Sequence, residues 1–185
     1  LRLGARNVVG KLEKVVGRLD RRAREIQEVG GVEREGLAQQ RLPLAVERTM
    51  VWDGEGYGGH SGTAVDGPQT RWYFAEGSQG FFDTYVLLAN ASSTTAHATV
   101  TFLLEDSAPV TRDVVVTPTS RATLLVGTVA ELVGRSFSIV VDADVPIIAE
   151  RAMYWTNDGT FWTGGHESAG VHAPATRWLH AEGAT

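Results

Sequence analysis

Three sets of residues have types and spacing that could do chemistry. His60 and His166 each follow a Gly-Gly pair, and a Gly-Gly-His turn with Asp53 or Glu167 nearby has the donor types of a metal site. Neither histidine has a ligand-type residue at i, i+3 or i, i+4, however, so a turn histidine that donates to a backbone carbonyl explains the pattern better, and no metal is expected. Glu76 and Glu182 have the types of an acid and base pair. Glycosidase carboxylates must face each other about 5 to 9.5 Å apart, whereas these two hold equivalent places in successive repeats, a domain length apart. No GxSxG, HExxH or Walker pattern is present, and neither an enzyme activity nor a cofactor is expected. The third set is aromatic. Trp72, Tyr73, Tyr154, Trp155, Phe161, Trp162 and Trp178 fall around the loops and strand ends of the repeat junctions. Such rings either stack on sugars or plug the seam between consecutive domains. Trp162 and Tyr154, with Trp155 and Trp178, are the residues a sugar would meet; the seam is the favoured reading.

These residues recur because the chain repeats itself. "ERTMVW" at 47–52 returns as "ERAMYW" at 150–155, and "GLAQQRLPLAVERTMVW" (36–52) lies without a gap on "IVVDADVPIIAERAMYW" (139–155). After a three-residue length difference, "GGHSGTAVDGPQTRWYFAEG" (58–77) matches "GGHESAGVHAPATRWLHAEG" (164–183). A period of roughly a hundred residues suits tandem whole domains rather than a solenoid. The boundaries that follow are an N-terminal segment (1–35), the C-terminal part of a first repeat (36–68), a complete repeat (69–173) and the start of another (174–185). The sequence opens partway through one copy and closes where the next would continue. Either it is a piece of a longer chain, or incomplete halves complete one another between subunits by strand complementation.

Composition describes a packed protein: 185 residues, 43% hydrophobic, 21% charged, with a formal net charge of −5. A chain of this length buries roughly 70% of its unfolded surface if it folds as one body. It has no cysteine, which excludes disulfides and thiolate metal sites. An acidic balance without a basic cluster after about residue 50 argues against a nucleic-acid partner. No apolar run is long enough to span a membrane as a helix.

Residues 84–163 alternate short apolar or period-2 runs with turn chemistry. In "HATVTFLLE", Ala98, Val100, Phe102 and Leu104 share one face, and Phe137, Ile139 and Val141 do the same further on. "SFSIVVDA" is expected to stop before Pro146, and "IIAERAMYW" to turn at "NDG" into "TFWTG". Seven or so strands in about a hundred residues, with no long helix among them, predict an all-β fold, an Ig-like antiparallel β-sandwich. Residues 1–35 behave differently. Ala5, Val9, Leu12, Val16, Leu19, Ala23 and Ile26 recur at alternating steps of four and three. This fits an amphipathic helix on its own sandwich or a coiled-coil stem; a faint match of "VVGRLDRRAREIQEVGGV" to "DVVVTPTSRATLLVGTV" leaves half of a degenerate repeat as a third reading.

The blocks "RWYFAEG", "FFDTYVLLAN", "ATVTFLLED", "SFSIVVDADVPIIAERAMYW" and "GGHESAGV", in that order over 36–185, resemble an uncharacterised bacterial family of Ig-like tandem repeats in large secreted or cell-surface proteins. The resemblance implies a non-catalytic extracellular module whose partners are neighbouring repeats or identical subunits. It supplies no ligand; cell-wall or surface glycans are the partners of the rival reading, a carbohydrate-binding sandwich. "NAS" at Asn90 fits an N-glycosylation acceptor, and in a bacterial protein is read as accidental.

On this reading the doubled "ER" motif is a structural clamp. Arg48, Met50 and Trp52 share one face of a strand, as do Arg151, Met153 and Trp155, while Glu47 and Glu150 point the other way. Each arginine stem is expected to lie along its tryptophan and reach a carboxylate, Glu76 or Glu182.

Overall fold

The computed structural model describes residues 46–53, 57–156 and 162–179. Residues 1–45, and with them all three readings of 1–35, lie outside the described residues, as do Phe161, Glu182 and the Trp52 side chain. Among the described residues, nine strands follow in order: β1 (Glu47–Asp53), β2 (Tyr57–Thr63), β3 (Gln69–Gln79), β4 (Asp83–Asn90), β5 (Ala96–Leu103), β6 (Val110–Val116), β7 (Ser120–Leu125), β8 (Arg135–Trp155) and β9 (Gly164–Ala169). Two short 3-10 turns at Val126–Thr128 and Ala130–Leu132 lead into β8. All pairings are antiparallel, and the all-β sandwich expected from the alternation is the fold found.

The architecture turns on β8. Its first part pairs with β3 on one side and β5 on the other, and β6 adds to β5. Its second part, Ile148–Trp155, pairs with β4 and β9, and β7 adds to β4. One strand therefore belongs to both sheets. Counting β3 to β9 as first to seventh, the second-to-fifth, third-to-sixth and sixth-to-seventh pairings are those of an Ig sandwich. The pairings of β8 with β3 and with β4, and of β6 with β5 in place of β7, depart from that plan. A bridge between Tyr73 and Val171 also ties the β3 edge to the segment after β9, bringing the sandwich close to a barrel.

Pro146 does not end the strand as expected. Ladder pairing with β5 stops at Ala143 and pairing with β4 begins at Ile148, so the proline occupies the crossing between sheets, where its missing N–H costs nothing. Alternation elsewhere packs as read: Ala98, Val100 and Phe102 meet Phe137, Ile139 and Val141 in the core, with the Phe102 and Phe137 rings edge to face at 5.2 Å. Leu104, just past β5, is only partly buried against them.

Trp72 is core rather than seam. It is fully buried and its indole N–H donates to the Ile147 carbonyl at 2.8 Å, which anchors β3 at the crossing of β8. Gly77 is required by close approach: a Cβ there would lie 2.4 Å from the Phe137 ring.

Asn90 is buried, and its amide donates to the carbonyls of Thr94 (2.7 Å) and Val116 (3.0 Å) while its oxygen accepts from the Ser92 N–H (2.9 Å). The side chain that would carry a glycan is committed to holding the 91–95 loop and the end of β6. Asn90→Ala takes a buried donor from the Val116 carbonyl and the acceptor from the Ser92 N–H, and is expected to cost about 1–3 kcal/mol, read as a lower urea midpoint at unchanged slope.

Candidate functional site

The repeated motif builds two different arginine sites. Arg151 points between the sheets and is only 7% exposed. It donates to the backbone carbonyl of Glu76, and its other terminal nitrogen lies 3.4 Å from Ser168 Oγ and 3.5 Å from His166 Nδ1. The expected partner was the Glu76 carboxylate. The backbone takes its place because β3 shifts register between Phe74 and Gly77; such an irregularity leaves a carbonyl off the ladder, and the guanidinium fills it. Burial pulls the Arg151 pKa down, opposed by the charge of Glu76.

The clean two-stripe split of this strand also fails, since Arg151, Ala152 and Met153 are all buried. Ala152 belongs to the outer face, and that face is covered by the β1–β2 hairpin. Arg48 reaches across to Glu167 at 2.5 Å and to Glu150 at 3.4 Å, neither of which is the Glu76 or Glu182 expected. The His60 ring, its side chain 4% exposed, lies 3.9 Å from Glu167 and 6.2 Å between centroids from Tyr154. Gly62 allows this approach, because a Cβ there would sit 2.7 Å from Glu167 Oε2. Partial burial lowers the Arg48 pKa, but hydrogen bonds to Glu167 and Glu150 and their charges outweigh it, and the net shift is upward. A cleft of about 480 Å³ opens beside the cluster, between β2 and β9, with Glu47 and Ser61 in its wall.

Both Gly-Gly-His segments are strands, not turns: His60 lies in β2 and His166 in β9. Glycine weakens an isolated strand but suits one that another group must approach closely. At Gly164 that group is the Trp155 ring, 2.2 Å from where a Cβ would be. Among the described residues no group of three or more His, Asp or Glu is placed to hold a metal ion.

Of the aromatic residues, Tyr154 and Trp162 do come together, stacked at 4.6 Å and 21°, with Tyr85 edge-on to both. The Trp162 indole N–H donates to Asp83 at 3.1 Å. Trp155 points away from them, edge to face with Phe82. Trp178 is elsewhere in sequence and 56% exposed.

Glu167, which the clamp expected from the sequence does not include, is the carboxylate that both Arg48 and His60 approach. The signal was present: the copies diverge where the first has "HSG" (60–62) and the second "HES" (166–168). The acid appears on the copy that is covered, and the glycine on the copy that covers it.

The site and sandwich define an all-β domain with a packed hairpin against its outer face. A crystal structure titled Thermotoga maritima 1070 is similar in fold, with a TM-score of 0.52 and 22% identity over 59% of this chain and 97% of that one. The Anabaena sensory rhodopsin transducer matches at a TM-score of 0.40 and 22% identity, over 46% of this chain and 97% of its own. No family model and no curated protein matches the chain.

Two outcomes are expected. A double-mutant cycle on Arg48→Met and Glu167→Gln gives a coupling of about 0.5–1 kcal/mol by chemical denaturation, since the arginine end is solvent-screened. Burial, aided by the nearby Arg48 and His166 charges and opposed by Glu167, lowers the His60 pKa from 6.5. The folded hairpin thus favours the neutral ring. This contribution is full above pH 6.5 and is lost as pH falls from there through the folded-state value, so the protection factors of the β2 amides, taken relative to the intrinsic exchange rate at each pH, fall over that window, and less so in His60→Gln.

Proposed function

We propose that the chain is a non-catalytic structural module of a bacterial surface protein, extracellular or cell-surface in location, which spaces or assembles that protein through contacts between successive repeats. The observation that carries this reading is the hairpin. β1 and β2 match in sequence the end of β8 and β9, and thus correspond to the last two strands of a repeat; they lie against the outer face of the following sandwich, held by Arg48, Glu167 and the glycine-lined approach of β2. A covered face between repeats is what a spacer needs, because it converts a flexible joint into a packed one. The family resemblance of the sequence supports the same reading. Assembly into a filament by strand complementation between identical subunits is its extended form.

The rival reading, a sugar-binding sandwich, draws on Tyr154 and Trp162. Those rings stack on each other and the Trp162 indole is bonded to Asp83, an arrangement that stabilises the hairpin end of β8. Trp162→Ala separates the two. The structural reading predicts a loss of about 1–2 kcal/mol in stability and unaltered mobility in affinity gels containing soluble cell-wall polysaccharides. Saturable retardation by a polysaccharide, abolished in Trp162→Ala at unchanged stability, overturns it.

A further inference from the structure

We infer that the second edge of β1 is a docking site for one occupant, a strand of the β4 type (Asp-Thr-Tyr-Val-Leu-Leu-Ala-Asn) from another copy of the repeat. The inference rests on the reading of the chain as a repeat module and names the partner of its hairpin.

The complete copy supplies the template. There, the strand equivalent to β1 is the end of β8, which has β9 on one edge and β4 on the other. β1 has the β9 equivalent, β2, on one edge, and among the described residues nothing pairs with its other edge. The orientation of the backbone is the same in both copies. The Ala64 N–H donates to the Val46 carbonyl at 2.9 Å, as the Gly170 N–H donates to the Ala149 carbonyl at 3.1 Å. Because backbone groups alternate in direction along an antiparallel ladder, Arg48 and Met50 turn theirs toward β2, and Glu47, Thr49 and Val51 turn theirs to the open edge. In the complete copy the equivalent residues Glu150, Ala152 and Tyr154 face β4, opposite Leu87, Tyr85 and Asp83.

Side-chain exposure agrees. Ala149 and Met153 are 0% and 5% exposed in the complete copy, whereas their equivalents Val46 and Met50 are 58% and 39% exposed. Val51 is exposed as well. An open edge flanked by apolar side chains is the usual template for an added strand. The expected register is Leu87-type opposite Glu47, Tyr85-type opposite Thr49 and Asp83-type opposite Val51, antiparallel. The β4 of this chain is already paired on both edges, by β7 and β8, so the incoming strand comes from a copy whose own β8 end is not in place.

The test uses the whole 185-residue chain and a synthetic peptide, FDTYVLLANA, flanked by lysines and carrying a fluorophore for anisotropy. Saturable one-to-one binding is expected. Thr49→Pro removes an N–H that points to the open edge and leaves the β2 ladder intact, and it should weaken binding on the order of ten-fold or more. Thr49→Val keeps that N–H and should bind as the parent does. A peptide with proline at the tyrosine position should fail with every variant. Absence of binding to the parent chain, or binding that survives Thr49→Pro, overturns the inference. Either result leaves the structural reading standing, since that reading is decided by polysaccharide retardation and Trp162→Ala stability.

Discussion

Everything in this sandwich depends on one strand belonging to two sheets. β8 runs for 21 residues, a contour of about 70 Å at the usual rise of a strand, and it contributes a central position to each sheet. In most two-sheet folds the layers are joined by turns and held by side-chain packing. Here the backbone hydrogen bonds of a single element extend from Arg135, opposite Gln79 of β3, to Trp155, opposite Gly164 of β9. Loss of its crossing would separate the sheets. Two contacts tie β3 to β8: the Trp72 indole bonded to the Ile147 carbonyl at the crossing, and the Arg151 guanidinium filling the gap in β3 at Glu76.

The same strand explains why the "ER" motif has two outcomes. In the complete copy the arginine is enclosed by both sheets and becomes an internal tie. In the earlier copy the hairpin lies on the neighbouring sandwich, and its arginine meets the carboxylates of Glu150 and Glu167 instead. Sequence identity fixes the chemistry of the side chain; the partner is set by which surface lies opposite. Glu167 is buried beside His60 and Arg48, so this contact combines a charge pair, a buried imidazole and the close approach of Gly62, features that hold one relative position.

Much of this was legible in the residues and some was not. Strict alternation located β5 and the first part of β8, because each has one face on the core and one in solvent. It failed between Arg151 and Met153, where the second face is covered by the hairpin and burial loses its period. Pro146 and the Gly-Gly pairs were read as breaks, which is what they signal when a strand is isolated. Pro146 instead sits where no ladder bond is required, and Gly164 sits where the Trp155 indole comes too close for any side chain. Trp72 was read as a junction residue from its place near a repeat boundary; burial against β8 makes it core. The Trp72 and Arg151 misreadings concerned contacts between elements distant in sequence, which local spacing does not encode.

The central claim is that the hairpin and the sandwich hold one packed arrangement. The chain lacks cysteine, so Val51→Cys on β1 and Val115→Cys on β6, both exposed, can be spin-labelled without background. Double electron–electron resonance between them is predicted to give a single narrow distance distribution. A broad distribution, as from a hairpin swinging on a tether, would contradict the account.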